Sequence, residues 1–411
     1  MRRENTPAMN VFRAFSNCSF VLLWSGQTIS RLGDSLYTIA LAWWVLQKTG
    51  SATAMGVVLI CSTIPMLLFL LFGGVIVDRL PRVRLMLASD LLRGALVGLI
   101  ALLSFQQWLA LWQIFVLSTL FGTVEAFFYP AYTALVPDLV PSDLLSGANS
   151  LRSISLDAGQ FIGPAIGATI IALGGTSLAF ALDGVSFVIS ALCLVALPHV
   201  PALGSRAEKE VGILQDMREG ISTVLHSPWL WVTLVVASVS TIFLIGPYEA
   251  ALPLLVKQRF GAQVGFYGLL TSLSAIGSIL GAFWLGHFKR LWRRGLLTYG
   301  AWLIASLMLL VVGLPLSIGV VSVAVFIQGA AIVILGLAWM NTLQEFVPSD
   351  LLGRVASIDI LVSSGLLPIG YGLAGIAADR LGASTVFVLG GVISASVIAL
   401  GLLHPAVRKM D

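Results

Sequence analysis

Apolar residues run along this chain in long unbroken stretches separated by short polar punctuation, without the strict alternation of a half-buried strand. Crossing a hydrocarbon core of ~30 Å as an α-helix takes roughly 20 such residues. Twelve stretches qualify, at roughly 20–46, 52–77, 85–104, 108–136, 150–173, 176–197, 229–256, 262–286, 296–314, 318–347, 355–378 and 382–403. Continuous runs exclude a transmembrane barrel. The pattern therefore predicts an all-α membrane protein of twelve transmembrane helices.

Composition agrees. The 411 residues are 58% hydrophobic and only 10% charged, with a mean hydropathy of +0.98, too apolar for one water-soluble core. The longest polar segment, His199 to Pro228, divides the spans six and six, and its charged run Glu208 to Glu219 reads as an amphipathic helix on the membrane surface. The expected organisation is an N-terminal six-helix bundle at 1–198, a cytoplasmic linker at 199–228 and a C-terminal six-helix bundle at 229–411.

The two halves look duplicated. Pro-Ser-Asp-Leu-Leu occurs at 141–145 and again at 348–352, an offset of 207 residues that also aligns Gly74 with Gly281 and Gly163 with Gly370. The basic loop Arg79 to Arg84 aligns nearly as well with Lys289 to Arg294. Two parallel repeats of six spans are related by an axis along the membrane normal, a geometry that leaves a cavity between pseudo-symmetric bundles that rock.

Orientation follows from Lys and Arg. Sixteen of the 23 fall on one side of the predicted topology, from Arg2, Arg3 and Arg13 to Arg408 and Lys409, and only Lys48, Lys257, Arg259 and Arg380 on the other. Both termini are expected in the cytoplasm. Spread over loops, the net charge of +4 does not describe a nucleic-acid surface. The polar N-terminus leads into a full-length span with no small-residue cleavage site, so no removable signal is read. Cys18, Cys61 and Cys193 show no metal spacing and read as small apolar fillers.

Two motifs carry chemistry. The loop Gly74-Val-Ile-Val-Asp78-Arg79-Leu80-Pro81-Arg82-Val83-Arg84 places a small residue for close helix approach, an acid that can face a helix N-terminus, and a cluster of arginines. In the fifth span Gly159, Gly163 and Gly167 make a smooth face at four-residue spacing, and Pro164 bends the helix. The loop resembles the signature of the major facilitator superfamily, with Pro81 in place of its usual glycine and the last basic residue displaced to Arg84. The fifth-span stretch resembles the antiporter signature of that superfamily's drug exporters, lacking only the final glycine. Lys48 to Ala52, Tyr129-Pro130, Val136 to Pro141, Met217 to Gly220, Leu352 to Val355 and Ala378 to Gly382 resemble the macrolide-efflux branch of the drug/proton antiporters. The resemblance implies the major facilitator fold, export by proton antiport, and a conformational latch at Gly74, Asp78, Arg79 and Arg82.

Ionisable groups inside spans cost ~2.5–3.5 kcal/mol each and invite explanation. Gln27, Arg31, Asp34 and Thr38 recur at helical spacing on one stripe of the first span. Arg31 and Asp34 either neutralise each other for insertion, or Asp34 exchanges Arg31 for a proton. Glu125 lies midway along the fourth span with Phe121, Tyr129 and Tyr132 on its face, a carboxylate with an aromatic wall for a proton or an apolar or cationic cargo. The arginine of the superfamily's fourth-span motif is missing. Asp157 pairs with Arg152 or serves the relay. Asp183 and Glu249 are expected nearer the outer face, where water or a loop solvates them and gating or packing is their role, and Glu249 also lines the cavity. Glu345 and Asp359 lie near the inner edge. Asp90 and Arg93 read as a structural ion pair.

All four histidines sit at helix ends or loops, which leaves proton chemistry to carboxylates. No phosphate-binding G-x-x-x-x-G-K-[ST] loop, metal cluster or nucleophile elbow is present, so an enzyme is not expected, nor a cofactor. The expected activity is secondary export of amphipathic or hydrophobic small molecules by a monomer, with cargo, protons and membrane lipids as partners. Movement of a lysophospholipid, which the stretch Gln27 to Asp34 also resembles, and siderophore export are the alternatives.

Overall fold

The computed structural model describes residues 14–141, 144–198, 221–261, 263–288, 293–348 and 351–408, and not the side chains at 71–79, 146, 156–158, 160 and 161. Most of the predicted linker, 199–220, lies outside these residues. The described chain is helical throughout: α1 (Cys18–Thr49), α2 (Ala52–Arg79), α3 (Arg82–Phe105), α4 (Leu111–Leu139), α5 (Leu145–Val195), α6 (Pro228–Phe260), α7 (Val264–Gly286), α8 (Arg294–Gly313), α9 (Ile318–Phe346), α10 (Leu352–Gly365), α11 (Leu367–Leu381), α12 (Ala383–Leu403) and the short α13 (Pro405–Arg408). Helices are what lipid demands, because each satisfies its own backbone polar groups where no water can.

Ten stretches among the described residues are long and apolar enough to cross a membrane. α1, 32 residues long, is not one of them, since its middle carries Gln27, Arg31 and Asp34. α5 is 51 residues long, roughly 77 Å at 1.5 Å per residue and more than twice the hydrocarbon thickness. Its continuity is broken at Gly175, whose φ of 74° and ψ of 177° are not helical. Gly382, at φ 88°, ends α11 at the 207-residue offset. Gly50 and Gly261, the other two positive-φ glycines described, end α1 and α6. An L side chain is strained there, so glycine marks each reversal.

The described residues of the repeated pentapeptide have the same geometry in both places. Leu144 and Leu351 have φ,ψ of −101°,−9° and −103°,−13°, each the residue before a new helix. In each, the leucine N–H donates to the carbonyl of the proline at 2.9 Å. Packing repeats as well: a Cβ on Gly163 would overlap Ser35, and one on Gly370 would sit 3.1 Å from the Cα of Ile242, the residue 207 beyond Ser35.

The chain forms two compact units. Unit 1 runs from α1 to Val45 and from Cys61 through α5; unit 2 comprises Leu46–Ile60 and the chain from α6 onward. In unit 1, Leu23, Val136, Val140 and Ala148 belong to one buried apolar cluster. Their counterparts Leu230, Leu343, Val347 and Val355 form a similar cluster in unit 2. Asp379 in unit 2 caps the start of α2: it accepts hydrogen bonds from Ser51 Oγ (2.5 Å) and the N–H groups of Ala52 (2.8 Å) and Thr53 (3.0 Å). Those N–H groups have no intrahelical partner, and the helix dipole favours an acid there.

Candidate functional site

The interior of unit 1 is built where α1, α3, α4 and the second arm of α5 meet. Small residues let the elements approach. The stripe Gly159, Gly163 and Gly167 lies against Arg31, Ser35 and Ile39 of α1, and Ser35 Oγ donates to the Gly159 carbonyl at 2.7 Å. On its other side α1 fits Gly26 against Cys193 and Gly33 against Ser186 and Asp183. The glycine motif of the fifth span is therefore a packing face, with Pro164 within the same helix.

The predicted polar stripe of α1 is graded in exposure. Gln27 is buried, and its Nε2 donates to Ser190 Oγ at 2.8 Å. Ser190 donates to Asp90 Oδ2 at 2.6 Å, and Arg93 Nη2 donates to Asp90 Oδ1 at 2.6 Å. A polar chain thus crosses from α1 through α5 to α3. Arg93 is held by faces as well as by charge, its guanidinium 4.0 Å from the Phe128 ring centre and 4.6 Å from that of Phe187. Further along α1, Arg31 Nη1 stands 3.4 Å from Asp34 Oδ2, with about a quarter of each side chain accessible, 22% and 25%. Thr38 is exposed and donates to the Asp34 carbonyl.

Glu125 of α4 has no hydrogen-bond or ion-pair partner among the described residues, and the charges that act on it are Asp34, Arg93 and Arg31. Its aromatic wall divides. Phe121 stacks on Tyr37 with ring centres 5.2 Å apart and touches Phe187, Tyr132 is buried beside Phe128 under the Arg152 guanidinium, and Tyr129 is exposed.

Asp183 corrects the sequence expectation that water or a loop solvates it. It is completely buried; its Oδ1 accepts from Ser186 at 3.2 Å, and its Oδ2 meets no partner among the described residues. Asp34 and Arg93 act on it electrostatically. Four carboxylates, Asp34, Asp90, Glu125 and Asp183, and two guanidinium groups, Arg31 and Arg93, thereby share one interior. Sequence spacing missed Asp183 because it lies on an otherwise uncharged arm; the neighbouring Gly184, packed on Gly98, was the available sign of a close crossing.

Of the remaining candidates, Arg82 pairs with Asp138 at 2.5 Å and donates to the Ala134 carbonyl, joining the start of α3 to the end of α4. Gly74, Asp78 and Arg79 lie on α2 and Asp157 on α5, but their side chains are outside those described. Glu249 of α6 is half-buried rather than solvated at a loop, and acts electrostatically on Tyr248, Tyr267 and Tyr371.

Comparison with known proteins bears on this arrangement. The family model of the Major Facilitator Superfamily matches residues 23–370. Macrolide efflux protein A of Streptococcus pyogenes is 26% identical over 402 residues, covering 95% of this chain and 97% of the relative. Multidrug efflux pump Tap of Mycolicibacterium fortuitum is 28% identical over 397 residues, covering 92% and 94%. The Staphyloferrin A transporter of Staphylococcus aureus is 26% identical over 372 residues, covering 88% and 90%. Among solved structures, the nucleoside transporter NupG superposes with a TM-score of 0.72 at 11% identity, covering 93% of this chain and 98% of that one. The last likeness concerns the fold alone.

Proposed function

The chain belongs to the major facilitator superfamily, and on that premise we propose that it is a proton-coupled exporter of amphipathic or hydrophobic small molecules. It works as a monomer in the bacterial inner membrane. Both termini lie in the cytoplasm, twelve spans are divided 1–198 and 229–411, and the two bundles rock about a cargo site. Gly74, Asp78, Arg79 and Arg82 latch one state of that motion. The efflux proteins among its relatives support the direction and the breadth of cargo.

The observation that carries the coupling is the shared interior of Asp34, Asp90, Glu125 and Asp183 around Arg31 and Arg93. With two cations for four acids, a proton taken by one carboxyl releases its share of an arginine to another. Such a change of partners is a local electrostatic event that biases a two-state element. Asp34 is the group through which protons enter, being part-accessible and loosely paired at 3.4 Å; Glu125, without a donor, is its inner partner, and Asp157 extends the route. Gln27, Thr38, Tyr129, Tyr132 and Glu249 are the remaining cavity-side candidates. A proton moving down ~150 mV releases roughly 3.5 kcal/mol, enough for a cargo gradient of a few hundredfold.

The test is cargo-induced proton release from everted, energised vesicles. A macrolide added outside is expected to collapse part of the pH gradient with the wild-type protein and leave it intact with the Asp34→Asn, Glu125→Gln double variant. Undiminished proton release from that variant removes the assignment. A second reading, siderophore export, is favoured by the staphyloferrin transporter among the relatives; proton release by a siderophore and not by any macrolide would select it.

A further inference from the structure

Unit 2 contains a cavity of about 200 Å³ framed by α6, α8, α9 and α10. Its lining residues include Trp302 and Trp339, Thr233, Thr241 and Thr298, and one acid, Asp359. Trp339 Nε1 donates to Asp359 Oδ2 at 3.1 Å, and the Ser363 hydroxyl adds a second hydrogen bond. No lysine or arginine among the described residues pairs with this carboxylate. An acid in a cavity lined by two tryptophans and several threonines, with no cationic partner among the described residues, is complementary to an organic cation.

The internal repeat sharpens the point. At the 207-residue offset, Trp339 and Asp359 fall on Tyr132 and Arg152. In unit 1 the Arg152 guanidinium lies over the Tyr132 ring, 5.4 Å from its centre. The aromatic partner is kept in unit 2, but the cation has been exchanged for an anion. At the corresponding place none of the described lysines or arginines pairs with the acid, which leaves room for a cation brought by a ligand. The volume sets its size: pockets that enclose a drug-sized ligand measure ~300–1,000 Å³, so this cavity takes one group of a larger molecule.

We propose that this cavity is the subsite for the cationic head of the cargo, a tertiary or quaternary ammonium held by Asp359 between Trp302 and Trp339. The inference deepens the export reading and rests on it for calling the ligand cargo. Its immediate content is narrower, that unit 2 binds organic cations through Asp359.

Equilibrium binding to the purified full-length protein in detergent, without any gradient, tests this with benzyltrimethylammonium, whose charge is fixed at every pH. Wild-type protein is expected to bind it saturably with quenching of tryptophan fluorescence. Asp359→Asn, which retains an acceptor for Trp339, is expected to weaken binding at least tenfold with unchanged elution on gel filtration, and Asp359→Glu to restore part of the loss. Trp339→Phe is expected to weaken binding severalfold and remove much of the quench. Binding that is absent in the wild type marks a water-filled polar cavity and overturns the proposal, as does equal affinity in Asp359→Asn. If cargo releases no protons with the wild-type protein while Asp359-dependent binding holds, only the antiport reading falls; proton release without Asp359-dependent binding removes only this subsite.

Discussion

Units 1 and 2 use matched scaffolds around unlike interiors. Positions equivalent by offset and packing can be compared one by one: where unit 1 has Asp34, Glu125 and Asp183, unit 2 has Thr241, Ile332 and Gly390. The second and third helices of each repeat are offset by 212, since Gly122 on Ser62 matches Gly329 on Ser274 and Gly184 on Gly98 matches Gly391 on Leu310. Asp90 and Arg93 then correspond to Trp302 and Ala305. Outside the interior the match is close. Arg82–Asp138 in unit 1 and Arg294–Glu345 in unit 2 are the same ion pair, each at 2.5 Å. Glycine turns and tying ion pairs survived the duplication, while the charged interior is found in one copy and a cavity with an acid and two indoles in the other. That is how a division of labour between proton coupling and cargo binding would look.

The largest effect expected from breaking this contrast is on the stability of unit 1. Arg93 and Asp90 are essentially inaccessible, 2% and 0%, and removing one partner of such a pair leaves a buried charge. Arg93→Met should cost ~3–5 kcal/mol. Adding Asp90→Asn should restore much of that, because the orphaned charge goes with it. Thermal unfolding of the purified variants would read both, and a single variant as stable as wild type would show that the pair does not hold the interior. The counterpart Ala305 offers no such vulnerability.

Next in size is a change that makes unit 1 resemble unit 2. Glu125→Ile installs the residue found at the equivalent position of unit 2. If coupling resides in unit 1, accumulation against a gradient should fall about a hundredfold, equivalent to ~2.7 kcal/mol, while downhill cargo exchange continues. Counterflow in proteoliposomes with and without a pH gradient separates the two. Loss of both activities together would point to a packing role.

A smaller effect should be equal in the two units. A Cβ on Gly122 would overlap the Ser62 carbonyl, and one on Gly329 would overlap that of Ser274, the matching contacts of the two repeats. Gly122→Ala and Gly329→Ala should each destabilise by ~1–3 kcal/mol, by similar amounts on thermal unfolding. A difference of several kcal/mol between them would mean that the scaffolds are less alike than the offset suggests.

The fold was legible in the sequence because lipid imposes one rule on every span: a long apolar run between polar breaks. The repeat was legible in a pentapeptide and a few glycines, since turns and close crossings restrict residue choice to a few types. The first predicted span, 20–46, falls within the helix α1, whose polar middle keeps it out of the ten stretches apolar enough to cross a membrane. The interior was read in part. The pairings of Asp90 with Arg93 and of Arg31 with Asp34 followed from i, i+3 spacing on one helix. The burial of Asp183 did not, nor did the link from Gln27 through Ser190 to Asp90, because both depend on which faces of distant helices meet. The different surroundings of the aromatic residues on the face of Glu125 were hidden for the same reason. One helical face can be split among different neighbours, so Phe121 joins Tyr37 while Tyr129 is left exposed.

The smallest expected effects come from the ion pair present in both units, and they grade with accessibility. Glu345 is 61% exposed and Asp138 only 12%, although the two bonds are equally short. Water already screens Glu345, and its long side chain loses rotamer freedom in pairing, so Glu345→Gln should cost only a few tenths of a kcal/mol. Asp138→Asn should cost about 1 kcal/mol, at the upper end for such pairs. Thermal shifts in low and high salt would separate them, the Asp138 effect persisting where the Glu345 effect fades. If Glu345→Gln proved the more damaging, then distance rather than solvent access would set the strength of these ties. The contrast between the units would then extend from their interiors to their shared scaffold.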